Sequence, residues 1–123
     1  MTSRRNKGEH EPESYLPLSN ANFHILLALA EGERHGYAIM RDVRAATDGS
    51  IRLGPGTLYR CLQGLLDEAL IEELGSDAVA DYEQRRRYYR LSPFGRRVLI
   101  AETQRLAAVV SLAAKRVLQK LPG

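Results

Sequence analysis

Between Gly95 and Pro122 the chain carries neither glycine nor proline, and this unbroken stretch constrains the rest of the molecule. Ser92 offers an N-cap oxygen, and Pro93 suits a first helical position, where its missing N–H costs nothing. The pattern predicts a helix from Pro93 to about Gln119, on the order of 40 Å long at 1.5 Å per residue. Apolar residues at 106, 110, 113, 117 and 121 line up as one stripe. A chain of 123 residues makes one domain, which cannot cover so long a helix. The stripe is therefore expected to pack on a second copy, with Leu99, Leu106, Val110, Ala113, Val117 and Leu121 at a homodimer interface.

Three shorter helices are predicted upstream. The first runs from about Asn20 to Glu31, capped by Ser19 or Asn20, with Phe23, Ile25, Leu26, Leu27, Leu29 and Ala30 covering most of its circumference. Such a helix is buried on several sides, and Gly32 ends it. His35-Gly36 opens the second helix, Gly36 to Ala46, in which Tyr37, Ile39, Met40 and Val43 fall near helical spacing while Arg41, Asp42 and Arg44 face out. Thr47 to Ser50 is a turn cluster. Ile51-Arg52-Leu53 alternates as a short strand would. Pro55 then starts a third helix, with Leu58, Cys61, Leu62, Leu65, Leu66 and Leu70 repeating at three and four. Ile71 to Leu74 and Arg87 to Leu91 are strand candidates, joined by a polar loop too long for a tight hairpin. Tyr88 and Tyr89 should point to opposite faces. Three helices followed by two strands and a projecting loop describe a winged helix-turn-helix. The fold class expected is mainly α with a small β wing and a long C-terminal dimerisation helix. The domain division is a disordered arm over 1–14, a DNA-binding unit over 15–92 and the dimerisation helix over 93–123. The simplest reading of the arm is a frayed terminus; the sharper one has Arg4, Arg5 and Lys7 touching phosphates.

Net charge is only +3, so its distribution carries more information than its sum. Residues 61–83 hold seven acids and no base, and residues 84–97 hold six arginines and no acid. Cys61, the only cysteine, cannot form an intramolecular disulfide and is most simply a small buried residue. His10, His24 and His35 have no metal-ligand spacing, and His35 is better explained as a helix-start or packing residue. No phosphate-cradling glycine loop, nucleophile elbow or His-Glu-x-x-His is present, so no catalytic site and no cofactor are expected. No signal-peptide pattern or membrane-length apolar run occurs, and the expected location is cytoplasmic.

Five segments, in order and spacing, resemble the PadR family of bacterial transcription regulators. They are Leu26-Leu27-Ala28-Leu29, His35-Gly36-Tyr37, Gly54-Pro55-Gly56-Thr57-Leu58-Tyr59, Leu65-Leu66 with Leu70-Ile71, and Arg86-Arg87-Tyr88-Tyr89-Arg90-Leu91-Ser92 leading to Gly95. The single C-terminal helix is similar to that of the family's short subfamily. The resemblance implies a dimer built through that helix, usually a repressor, with some members released by phenolic or drug-like ligands. Two departures stand out. Ala69 occupies a position where the family commonly has Gly, and Arg60 one where many members have Pro after Leu-Tyr.

On this reading Gly56 to Arg60 begins a recognition helix. Gly56 clears space at the DNA backbone, Thr57 reaches a phosphate or a thymine methyl, Tyr59 reaches a phosphate, Arg60 reaches a guanine edge, and Leu58 belongs to the core. The candidate DNA-facing residues are Tyr37, Pro55, Gly56, Thr57, Tyr59, Arg60, Arg85, Arg86 and Arg87, the last three on the wing, where arginine suits the backbone or minor groove. The acids Asp77, Asp81 and Glu83 are expected to neutralise part of that run. Partners expected are double-stranded DNA, a second copy, and a small aromatic or drug-like effector. The rival reading is a protein–protein adaptor of the same fold, motivated by the acidic stretch 67–83.

Overall fold

The computed structural model describes residues 11–75 and 87–119. A 3-10 turn, Pro12–Tyr15, leads into α1 (Asn20–Leu29), β1 (Arg34–His35), α2 (Gly36–Ala46), α3 (Pro55–Asp67), β2 (Ile71–Leu74), β3 (Tyr88–Leu91) and α4 (Pro93–Ala113), which continues as a π-helical turn, Ala114–Leu118. The fold class is as read from the sequence: mainly helical, with a small antiparallel wing sheet and a long C-terminal helix.

Local chemistry sets the helix starts. The Ser19 hydroxyl accepts from the Asn22 amide at 3.1 Å, and the Ser92 hydroxyl accepts from the Gly95 amide at 2.8 Å. His35 caps α2: its Nδ1 accepts from the Ala38 amide at 3.1 Å, which requires that nitrogen to be unprotonated. The core forms where the inner faces of all four helices meet the sheet. Ile25, Leu26 and Leu29 of α1 lie at its centre, against Ile39, Leu58, Leu62 and Val98. The wrap-around pattern of α1 is thus explained by burial, although Leu27 keeps a solvent-exposed face.

The sheet order is β1-β3-β2, both pairings antiparallel. Glu72 lies opposite Arg90 and Leu74 opposite Tyr88, while Arg34 pairs with Tyr89 from the other side. As the alternation predicts, Tyr89 is buried and Tyr88 exposed.

Two differences from the sequence reading concern strands. Among the described residues, Ile51-Arg52-Leu53 pairs with no strand. The Ile51 amide is taken by the Thr47 hydroxyl at 3.0 Å, and Ile51 and Leu53 instead pack half-buried on the core. The third strand is Arg34–His35, two polar residues with no alternation to betray them, held by β3. A third difference concerns Leu70, which shares the helical spacing of α3 but lies beyond its end. The Leu70 amide bonds to the Leu65 carbonyl and the Ala69 amide to the Leu66 carbonyl, a Schellman turn with Ala69 at φ 62°.

That turn is locked to the start of α4. The Leu70 carbonyl accepts from the Ser92 amide at 3.1 Å, and the Ser92 hydroxyl donates to the Ala69 carbonyl at 2.7 Å. A Cβ at Gly95 would fall on the Leu70 carbonyl, so only glycine lets α4 pass here.

Candidate nucleic-acid interface

Helix α3 divides cleanly into two faces. Leu58, Leu62 and Leu65 are buried, while Pro55, Gly56, Thr57 and Arg60 at its N-terminal end are exposed. Gly54 at the N-cap has no side chain to bond the first amides, and Pro55 follows at the first helical position. The Arg60 guanidinium lies 3.5 Å from the Thr57 hydroxyl, one turn back on the outer face. Tyr59 is 45% exposed, with its ring end resting against Gly36. A Cβ at Gly36 would overlap that hydroxyl, so the glycine between His35 and Tyr37 leaves room for the end of the Tyr59 ring. Tyr37 is 56% exposed on α2, stacked beside His35.

The two described wing arginines are both paired. Arg87 is ion-paired to Glu73 at 2.7 Å, and Arg90 to its cross-strand neighbour Glu72 at 2.8 Å. The neutralising acids of the described wing are therefore on β2. Arg85, Arg86, Asp77, Asp81 and Glu83 lie outside the described residues. Tyr89 sits beneath this pair; its phenol is pushed up to about 12, mainly by burial and then by the nearby Glu73 charge, and stays protonated at neutral pH.

Three arginines that sequence reading left aside form a group of their own. Arg41 and Arg44 of α2 and Arg52 of the following loop surround a hollow of about 160 Å³ with Tyr37, Met40 and Leu53. The signal was present in the sequence, since residues 37, 40, 41 and 44 share one helix face, but the neighbouring Arg52 comes from outside the helix.

The dimerisation stripe is only partly as expected. Leu99 is 5% exposed and belongs to the protomer's own core, because α4 is still packed on its domain at that point. Leu106 is half-buried, and Val110, Ala113 and Val117 are exposed, with Val110 at 64%. Leu121 lies outside the described residues. The face that buries Val98 and Leu99 thus runs on past the domain, still apolar and uncovered. The π-helical turn from Ala114, closed by the Gln119 amide on the Ala114 carbonyl, shifts the phase of Val117 and Leu118 from that of a regular α-helix.

One buried charged side chain was missed altogether. Glu102 is buried on α4, accepts from the Leu18 amide at 3.0 Å, and pairs with Arg105 through both oxygens at 2.6 and 3.0 Å. The Arg105 hydrogen bonds hold its carboxyl below the usual range against the opposing effect of burial. It ties the segment before α1 to the long helix. Alongside lies a hollow of about 460 Å³ bordered by Leu16, Pro17, Ala101, Gln104 and Arg105. Among the described residues there is no cluster of three side chains able to hold a metal ion, and no helix is long and apolar enough to cross a membrane.

Comparison with known proteins gives a consistent picture. The family model described as "Transcriptional regulator PadR-like family" matches residues 25–101. A curated relative, an uncharacterized 37.1 kDa protein in a transposon of Streptomyces fradiae, is 35% identical over 89 residues, which are 72% of this chain and 24% of that protein. This chain therefore spans about a quarter of that relative's length. Among solved structures, a transcriptional regulator from Clostridium thermocellum superposes with a TM-score of 0.66 at 25% identity, over 85% of this chain and 95% of the other. A PadR family transcription regulator from Clostridium difficile superposes with a TM-score of 0.66 at 22% identity, over 78% and 96%.

Proposed function

Because this chain belongs to the PadR-like family of transcriptional regulators, we propose that it represses transcription as a homodimer on a near-palindromic operator, under the control of a small aromatic or drug-like effector. The family is one of DNA-binding regulators rather than enzymes.

One observation carries the reading. The N-terminal end of α3 exposes Gly56, Thr57 and Arg60 together, while Leu58 between them is buried. A helix held from behind in this way can enter a major groove end-first, with Arg60 at a guanine edge and Thr57 at a phosphate or thymine methyl. Tyr37, Pro55 and Tyr59 flank that end, and Arg85, Arg86 and Arg87 would track the backbone from the wing. Arg87 must leave or share Glu73 to do so.

Residues 15–92 then form the DNA-binding unit and 93–123 the dimerisation helix, with 1–14 as an arm. The uncovered stripe of Leu106, Val110, Ala113 and Val117, extended by Leu121, meets its counterpart in the second copy. Two recognition helices would lie one helical turn, about 34 Å, or a multiple apart. The hollow beside α4 supports an effector site between the long helix and the DNA-binding units, its size being within the usual range for small-molecule pockets. An effector acts there by ordinary linkage: it must bind one spacing of the recognition helices better than the other. The expected setting is the cytoplasm.

Footprinting on the DNA upstream of the protein's own gene, with sedimentation to follow assembly, tests the reading. Two protected patches on one face of the duplex, by a dimer, would support it. A folded dimer that binds no DNA at low salt would replace it with the adaptor.

A further inference from the structure

We propose that Arg41, Arg44 and Arg52 form a phosphate seat, which holds a phosphodiester of duplex DNA beside the start of α3 and supplies more of the binding affinity than the described wing arginines do. The proposal rests on the DNA-binding reading above and says where its electrostatic energy comes from.

Charge pairing separates the two groups of arginines. Among the described residues, Arg34 pairs with Asp42, Arg87 with Glu73, Arg90 with Glu72 and Arg105 with Glu102. Arg41, Arg44 and Arg52 have no carboxylate of the described residues within ion-pair distance, and the single acid of α2, Asp42, is turned to Arg34. Three guanidinium groups gathered without a counter-charge repel one another, and an anion relieves that repulsion. An arginine already bonded to a carboxylate releases less on meeting a phosphate, since one charge-assisted bond is exchanged for another.

The seat is also shaped in advance. Arg41 lies over the Tyr37 ring, 5.5 Å from its centroid, and the Arg52 Nε donates to the Gly49 carbonyl at 3.3 Å. Met40 and Leu53 give the hollow an apolar floor. At about 160 Å³ it is smaller than the roughly 300–1,000 Å³ usual for drug-sized ligands, and suits a single anionic group. Its place in the fold selects DNA as the source of that group. Arg52 and Leu53 directly precede Gly54 and Pro55, so a backbone phosphate held here lies next to the end of α3 that would enter the groove.

The test is fluorescence anisotropy with a labelled mixed-sequence duplex of about 30 bp, from about 50 to 200 mM KCl, where affinity falls as phosphate contacts release counterions. Each lost contact should flatten the slope of log K against log [salt] by about 0.9. The triple variant Arg41→Gln, Arg44→Gln, Arg52→Gln removes one phosphate contact from each protomer of the proposed dimer, and should flatten the slope by about 1.8 and weaken binding roughly 60-fold near 0.1 M salt. Arg87→Gln should change both by less, and Arg44→Lys should retain the wild-type slope. The three side chains are exposed, and the single variants carry the same test should the triple variant misfold by circular dichroism.

Wild-type binding with an unchanged slope in the triple variant would overturn the phosphate seat while leaving the DNA reading intact. Binding of inorganic phosphate that is lost in the triple variant, with duplex affinity and slope left at their wild-type values, would overturn it in favour of a free-anion site. A folded wild-type dimer with no affinity for the duplex at low salt would remove both the seat and the reading beneath it.

Discussion

Replacing Ala69 with glycine should stabilise the protein even though it deletes a half-buried methyl group. Ala69 stands at φ 62°, the residue that reverses the chain between α3 and β2. The left-handed conformation costs a residue with a Cβ about 1–2 kcal/mol, which glycine does not incur. Against this, glycine has the more disordered unfolded state, by about 0.4–1 kcal/mol. The methyl, worth about 0.8 kcal/mol if fully buried, loses about half of that here. The balance is a gain of about 0.5 kcal/mol, or a rise in Tm of about 2 °C for a chain of this size. Urea denaturation and a thermal scan, both at one fixed protein concentration so that the proposed dimerisation does not shift the midpoint, would measure it. The same position should reject a β-branched residue: Ala69→Val should lose at least about 1 kcal/mol, since both the Cβ and its branches crowd a left-handed backbone. A fall in stability for Ala69→Gly would refute the reasoning, and would mean that packing of the methyl outweighs the backbone at this turn.

Three other outcomes follow from the same structure. Val110→Asp should convert the dimer to monomer in sedimentation velocity, because it sets a charge in an apolar seam; an unaltered sedimentation coefficient would put the interface elsewhere. Arg60→Ala should weaken operator binding by about 1–3 kcal/mol and relax preference at one base pair, whereas a uniform loss across sequences would make Arg60 a phosphate contact. Glu102→Gln should cost about 1–2 kcal/mol at neutral pH, the range for hydrogen bonds to a charged group with one partner in solvent. Because the folded-state carboxyl is held below its unfolded value, its contribution is complete above the ordinary glutamate range and is lost as pH falls through the folded value. Glu102→Gln should therefore flatten the acid limb of a stability-against-pH curve below about pH 4.5, and an unchanged acid limb would count against the ion pair.

Much of this protein could be read from neighbours in sequence, because the rules involved act over three or four residues. Ser19, Gly54-Pro55 and Ser92-Pro93 announce three helix starts, and the spacing of Leu58, Leu62 and Leu65 separates the buried face of α3 from Gly56, Thr57 and Arg60. The alternation of Tyr88 and Tyr89 across the sheet is of the same kind. What remained hidden depends on partners brought together from far along the chain. Arg34–His35 is a strand only because β3 lies beside it, whereas at Ile51 to Leu53 the Thr47 hydroxyl claims the first amide. Leu99 shares its stripe with Val110, yet only three-dimensional packing reveals that the domain ends between them. The run Arg85–Arg87 looks like the strongest basic feature in one dimension. Folding hands Arg87 to Glu73 and, among the described residues, leaves Arg41, Arg44 and Arg52 together without a counter-charge. Periodicity and capping are properties of a single segment, and so the sequence alone determined the elements and their buried faces. Charge balance and burial depend on what lies across a gap in space, and those only the tertiary structure could decide.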